Sequence, residues 1–155
     1  MSLIPLLQIK AFREQRAAAE VHRRRLVMAQ YQRLVEETGK KLRAYQRYRR
    51  EQEDTGFDAV RGLAVNRQQL EDLRAESARL REAEALLHQE LLAAEEKWRR
   101  ARAAWEEGRR IHAAAVREKE KVQQLVQWEQ EEAMAAQSRR EEAELEEYAT
   151  PIDRL

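Results

Sequence analysis

Apolar residues recur along most of this chain at alternating steps of three and four. In the first half the spacing picks Ala17, Val21, Arg24, Met28, Tyr31, Val35, Thr38, Leu42 and Tyr45. In the second half it picks Leu80, Glu84, Leu87, Leu91, Ala94, Trp98, Ala101, Trp105, Gly108, His112, Ala115, Lys119, Val122 and Val126. Such steps return to one face of an α-helix, and a 3.5-residue period kept over many heptads implies a left-handed supercoil. Both seams are mostly apolar with polar interruptions, the pattern of two long helices that bury a narrow seam.

The breaks in the pattern set the boundaries. Ser2 can cap a helix whose first turn tolerates Pro5, since first-turn N–H groups have no intrahelical acceptor. From there to Asp54 only Gly39 weakens helix formation, so helix one is expected over about residues 3–54. Residues 55–66 contain Gly56 and Gly62 together with Phe57, Val60, Leu63 and Val65, and read as a turn region. Thr55 followed by Asp58 could cap one short helical turn there. Asn66 followed three residues later by Gln69 is a second capping signature, which starts helix two at about Arg67. Helix two is expected to run to Tyr148 or Ala149, because Pro151 disfavours the helical region for Thr150. Residues 150–155 are then a C-terminal tail.

Folding the chain back at Gly62–Asn66 places facing residues where their numbers sum to about 129. The seams then register. Leu42 faces Leu87, Thr38 faces Leu91, Val35 faces Ala94, Tyr31 faces Trp98 and Met28 faces Ala101. Arg24 faces Trp105, a cation–π geometry. Val21 faces Gly108, Leu7 faces Val122 and Leu3 faces Val126. Large faces small in several layers, as interdigitated packing prefers. The expected fold is all-α: one elongated two-helix antiparallel coiled-coil hairpin, a single domain over 1–155.

Composition narrows the function. Charged residues make up 38 % of the 155, with four glycines, two prolines and no cysteine. The lack of cysteine excludes disulfides, thiolate metal sites and thiol catalysis. No apolar run reaches the ~20 residues that span a bilayer, and the N-terminus lacks a basic region and cleavage site, so the expectation is a cytoplasmic chain without direct membrane insertion. The net charge of +1 hides a polarity. Residues 1–50 carry thirteen Lys/Arg against four acids, whereas residues 127–149 carry eight acids against Arg139 and Arg140. Opposite charge on the two helices favours antiparallel pairing.

The candidate chemistry is thin. Glu84 and His88 share a helical face, but zinc needs three or four ligands, so no metal and no cofactor is expected. Carboxylate neighbours such as Glu95/Glu96 point apart on a helix, and a two-helix rod has no cleft to perturb them, so no catalysis is expected. Arg23–Arg25 and the cluster Arg47, Arg49, Arg50 with Tyr45 and Tyr48 lack any nucleic-acid motif, and a solvated or protein-binding face is the simpler reading. Leu3 and Leu7 are used by the seam, which leaves Ile4 and Phe12 for a partner.

The order of segments carries a resemblance. A basic first helix leads into a Gly-containing bend, YRREQEDTGFDAVRGLAVNRQQLEDLRAESARLREAEALL (48–87), and a long charged helix then ends in KEKVQQLVQWEQEE and EEAELEEYA. This resembles the YscO proteins of injectisome-type secretion and, more distantly, FliJ of the flagellar exporter. The resemblance implies a non-enzymatic stalk of a bacterial type III secretion system. It implies contact with the pore of a hexameric secretion ATPase, with the cytoplasmic ring of the export gate, and with translocator chaperones, at the inner-membrane face and with no nucleic acid. On that reading Arg13, Arg16 and Arg23 face the ATPase ring and Leu70 and Leu73 face the gate. Two rival readings stand beside it: a generic structural coiled coil with unrelated partners, and a nucleic-acid-binding helical rod, which strongly salt-dependent DNA binding would favour.

Overall fold

The computed structural model describes residues 2–153. Two helices account for nearly all of them: α1, Ile4–Val60, and α2, Arg67–Asp153. They pack as an all-α two-helix hairpin.

Local chemistry explains the ends. The Ser2 hydroxyl accepts the Ile4 N–H at 3.2 Å, and the first helical backbone bond runs from Leu7 N–H to the Leu3 carbonyl. α1 stops because Gly62 adopts φ of +75°, a left-handed conformation that glycine enters without steric cost. Leu63 N–H turns back to the Val60 carbonyl at 3.3 Å. α2 opens on a reciprocal capping box: Asn66 Oδ1 accepts the Gln69 N–H at 2.8 Å, and Gln69 Oε1 accepts the Asn66 N–H at 3.2 Å. Two orphan donors are thus satisfied where the chain reverses.

Two boundaries differ from the sequence reading. The Thr55–Asp58 cap does not form, because α1 continues unbroken through 55–60 and confines the loop to residues 61–66. Gly56 is kept within that helix because it faces α2: a Cβ there would lie 2.7 Å from Leu73 Cδ1. The close approach suits a residue that would otherwise weaken a helix by ~1 kcal/mol relative to alanine. At the other end α2 runs through Pro151 to Asp153 instead of stopping at Ala149. The preference imposed on the residue before proline is a bias, and it does not stop this helix. Of the expected tail 150–155, Arg154 and Leu155 lie outside the described residues.

The chain divides into two compact units. One combines 1–22 with 107–155, and the other comprises Arg23–Glu106. In the second unit the buried or half-buried positions of α2 step by four and three from Leu73 to Trp105. Those of α1 step likewise from Arg24 to Tyr45, but then take two consecutive fours, Tyr45–Arg49–Glu53, before continuing at Gly56 and Val60. An extra four-residue step is a stutter, which locally unwinds a coiled coil. Thr38, Leu42, Ala94 and Ala101 are the buried non-glycine residues of this unit. The buried Trp98 indole Nε1 has no acceptor among the described residues, while the Arg102 guanidinium lies 5.4 Å from the centre of its ring. In the other unit the steps run from Leu3 to Val21 on α1 and from Gly108 to Glu129 on α2, with Val122 and Val126 buried.

The seam positions read from the sequence fall on these rows. Leu42, Ala94, Ala101 and Val122 are buried, and Val21, Met28, Tyr31, Val35, Leu87, Leu91, Trp98 and Trp105 are half-buried. Arg24, a polar seam position, donates to the Ala104 carbonyl at 2.8 Å.

Candidate functional site

The unit that holds the chain ends is tied across its seam by polar contacts. Leu3 N–H donates to Glu129 Oε2 at 3.0 Å, so an acid of α2 accepts a donor at the start of α1. Lys10 Nζ lies 3.6 Å from Glu118. Glu14 forms the central layer, with one oxygen 3.0 Å from His112 Nε2 and the other 4.0 Å from Lys119 Nζ. Outside the seam the same unit exposes Ile4, Leu6, Ile9 and Phe12 on α1 and Leu125 and Trp128 on α2. Rings that remain about 60 % exposed, as Phe12 and Trp128 do, are surface available to a partner.

Arg13 and Arg16 lie on the exposed side of α1 here, and the Arg16 guanidinium stands 5.8 Å above the Phe12 ring. Arg23 is also exposed but belongs to the other unit. The three arginines therefore share a helix but not a unit.

The second unit has a groove beside the turn. It is lined by Gln52, Glu53, Phe57, Leu70, Leu73, Arg74, Glu76, Ser77 and Leu80. Leu70 lines it from an exposed position, and Leu73 is half-buried against Gly56. The structure thus brings Leu70 and Leu73 together and adds Phe57 and Leu80 to them. Phe57 and Leu80 stand out in the sequence only as members of an apolar cluster and of the seam.

The groove rests on Glu53, which accepts from the Ser77 hydroxyl at 2.7 Å, from Arg81 Nε at 3.1 Å and from Arg49 at 3.0 Å. Arg49 also pairs with Glu84. The Ser77 hydrogen bond, helped by Arg81 and Arg49, outweighs burial and holds the Glu53 carboxyl below the usual carboxylate value. This network takes up Glu84, leaving His88 exposed. Among the described residues no group of three or more His, Asp or Glu could hold a metal ion. No helix is long and apolar enough to cross a membrane, again among the described residues.

These features define a class: a helical hairpin that offers exposed rings, a small apolar groove and rows of charge to other macromolecules. Comparison with known proteins makes the assignment specific. Residues 3–151 match the family Type III secretion protein YscO. The fold is similar to the 2.8 Å crystal structure of the type III secretion protein YscO from Vibrio parahaemolyticus, with a TM-score of 0.79 and 31 % identity over 94 % of this chain and 91 % of that one. No curated protein matches. The chain belongs to the YscO family, and its place is in type III secretion.

Proposed function

We propose that this protein is a non-enzymatic stalk and adaptor of the secretion apparatus. It links the hexameric secretion ATPase to the export gate, raises ATP turnover, and takes part in handling substrates or their chaperones. It works in the cytoplasm against the inner-membrane face. The observation that carries this reading, beside family membership, is the surface of the unit that holds the chain ends. That unit exposes Ile4, Leu6, Ile9, Phe12, Leu125 and Trp128 and also Arg13 and Arg16, the kinds of residue that anchor protein interfaces. Arg13, Arg16 and Arg23 are assigned to the ATPase ring, and the Leu70–Leu73 groove to the gate. A helical stalk biases a ring only through contacts that differ among subunit states.

The test is size-exclusion chromatography and ATP turnover with the cognate secretion ATPase. Binding at one copy per hexamer with raised turnover is expected. Replacement of Arg13, Arg16 and Arg23 by alanine is expected to abolish stimulation. Unchanged binding and turnover in that variant would sink the ring assignment, and no binding by the parent chain at micromolar concentration would sink the stalk reading itself.

A further inference from the structure

Many cations of this protein lie against a carboxylate. Lys10 meets Glu118, Arg49 meets Glu53 and Glu84, Arg81 meets Glu53, and Arg99 and Arg100 meet Glu96. The outer face of α1 between Glu37 and Glu51 is different, for the sequence there contains no acid. Lys40, Arg43, Arg47 and Arg50 follow one another at steps of three, four and three, and all four are exposed. None of them forms an ion pair or hydrogen bond with another described residue. Such steps keep one helix face, so the four make a row about 15 Å long at 1.5 Å per residue. Like charges at this spacing repel and weaken the helix that holds them unless something of opposite sign covers them. Tyr48 stands beside the row, half exposed, its ring centre 5.7 Å from that of Tyr45.

The complement is carried by the same chain. Residues 141–149 hold five glutamates and no cation. Glu141 accepts from the neutral amide of Gln137, and Glu142, Glu144 and Glu147 have no described partner. Leu145 and Tyr148 on the same stretch are 68 % and 79 % exposed. Glu141, Glu144, Leu145 and Tyr148 recur at three- and four-residue spacing, so carboxylates and apolar surface share one face. From residue 130 to 149 every residue but the half-buried Ala136 is exposed, so this part of α2 is left without a covering element among the described residues.

We propose that the chain self-associates by laying the acidic segment 141–149 of one copy along the Lys40–Arg50 row of a second copy. Leu145 and Tyr148 then rest on Tyr48 and on the aliphatic stems of the basic residues. The contact relieves repulsion in both segments at once. Its length suits the row: nine helical residues span about 13 Å. A nucleic acid is the poorer occupant, because Glu36, Glu37, Glu51 and Asp54 border the row at both ends and would oppose a continuing phosphate backbone. The interaction is exposed, and salt screens it.

Sedimentation velocity on the full chain, at about 50 mM and about 500 mM salt, reads the outcome against the 18.4 kDa monomer. Association at low salt and monomer at high salt are expected. The row reversal K40E/R43E/R47E/R50E and the tail reversal E141K/E142K/E144K/E147K are each expected to be monomeric alone. Mixing the two restores association, because each then supplies what the other lost. Circular dichroism confirms that both variants keep their helices, and the recovery in the mixture rules out misfolding as the cause of the loss. The proposal is overturned if the parent chain stays monomeric at low salt, if association survives either reversal, or if two helical variants fail to associate when mixed. It is equally overturned if the row binds a labelled oligonucleotide while the chain does not associate with itself.

Discussion

Two glutamates of α1 sit in the seam, one in each unit, and their partners differ in kind. Glu53 is surrounded by Ser77, Arg81 and Arg49, and Arg49 in turn pairs with Glu84. Glu14 meets His112 and Lys119. A guanidinium presents a planar fork of donors to a carboxylate, whereas the imidazole and the ammonium of the Glu14 layer have no such fork. The Glu53 layer also lies where the seam stutters, so a hydrogen-bonded polar network fills the place where apolar knobs fall out of step. The Glu14 layer sits in an uninterrupted heptad. One polar layer is therefore built into the backbone geometry, and the other is laid on top of it.

That contrast can be broken by substitution. Glu53→Ala leaves Arg49 half-buried and short of a partner, and it is expected to cost about 2 kcal/mol in urea unfolding. Glu14→Ala is expected to cost about 1 kcal/mol or less, because Lys119 and His112 are freer to reach water. Equal losses would mean that the stutter adds nothing.

Asn66→Ala removes one half of the capping box. A loss of about 1 kcal/mol is expected, seen as faster amide hydrogen exchange in the first turn of α2 and not around Glu14.

A smaller effect comes from acid. The Glu53 carboxyl is held below its ordinary value in the fold, so its contribution is fully present above the unfolded value and disappears as pH falls through the folded one. Melting temperature followed from pH 6 to pH 3 should therefore drop more steeply in the parent than in Glu53→Gln. Identical slopes would remove Glu53 from the account of acid sensitivity.

Much of the fold could be read in the sequence, for reasons tied to particular residues. The 3.5-residue period from Leu80 to Val126 fixes a face with no knowledge of the partner. Asn66 and Gln69 mark the start of α2 by chemistry confined to four residues. The continuation of α1 through 55–60 was less legible, because Gly56 reads locally as a breaker and its use depends on Leu73, seventeen residues away. The Glu53 network was harder still. Arg49, Glu53 and Ser77 look like ordinary surface letters until the stutter turns Arg49 and Glu53 onto the seam, where Ser77 and the largely exposed Arg81 meet them. The groove shared by Leu70 and Leu73 with Phe57 likewise needs the extra turns of α1 to exist.

Only eight described residues of this chain are buried, and two of them are glycines. In a globular domain a dense core restrains the sequence, since most changes there cost stability. Here the restraint reduces to a period, a turn and a few small residues, and almost every other position faces water. Such a protein can exchange most of its letters over generations while its backbone stays in place. Its lineage will look more distant in sequence than in shape, and its partners, rather than its folding, will decide which surface residues persist.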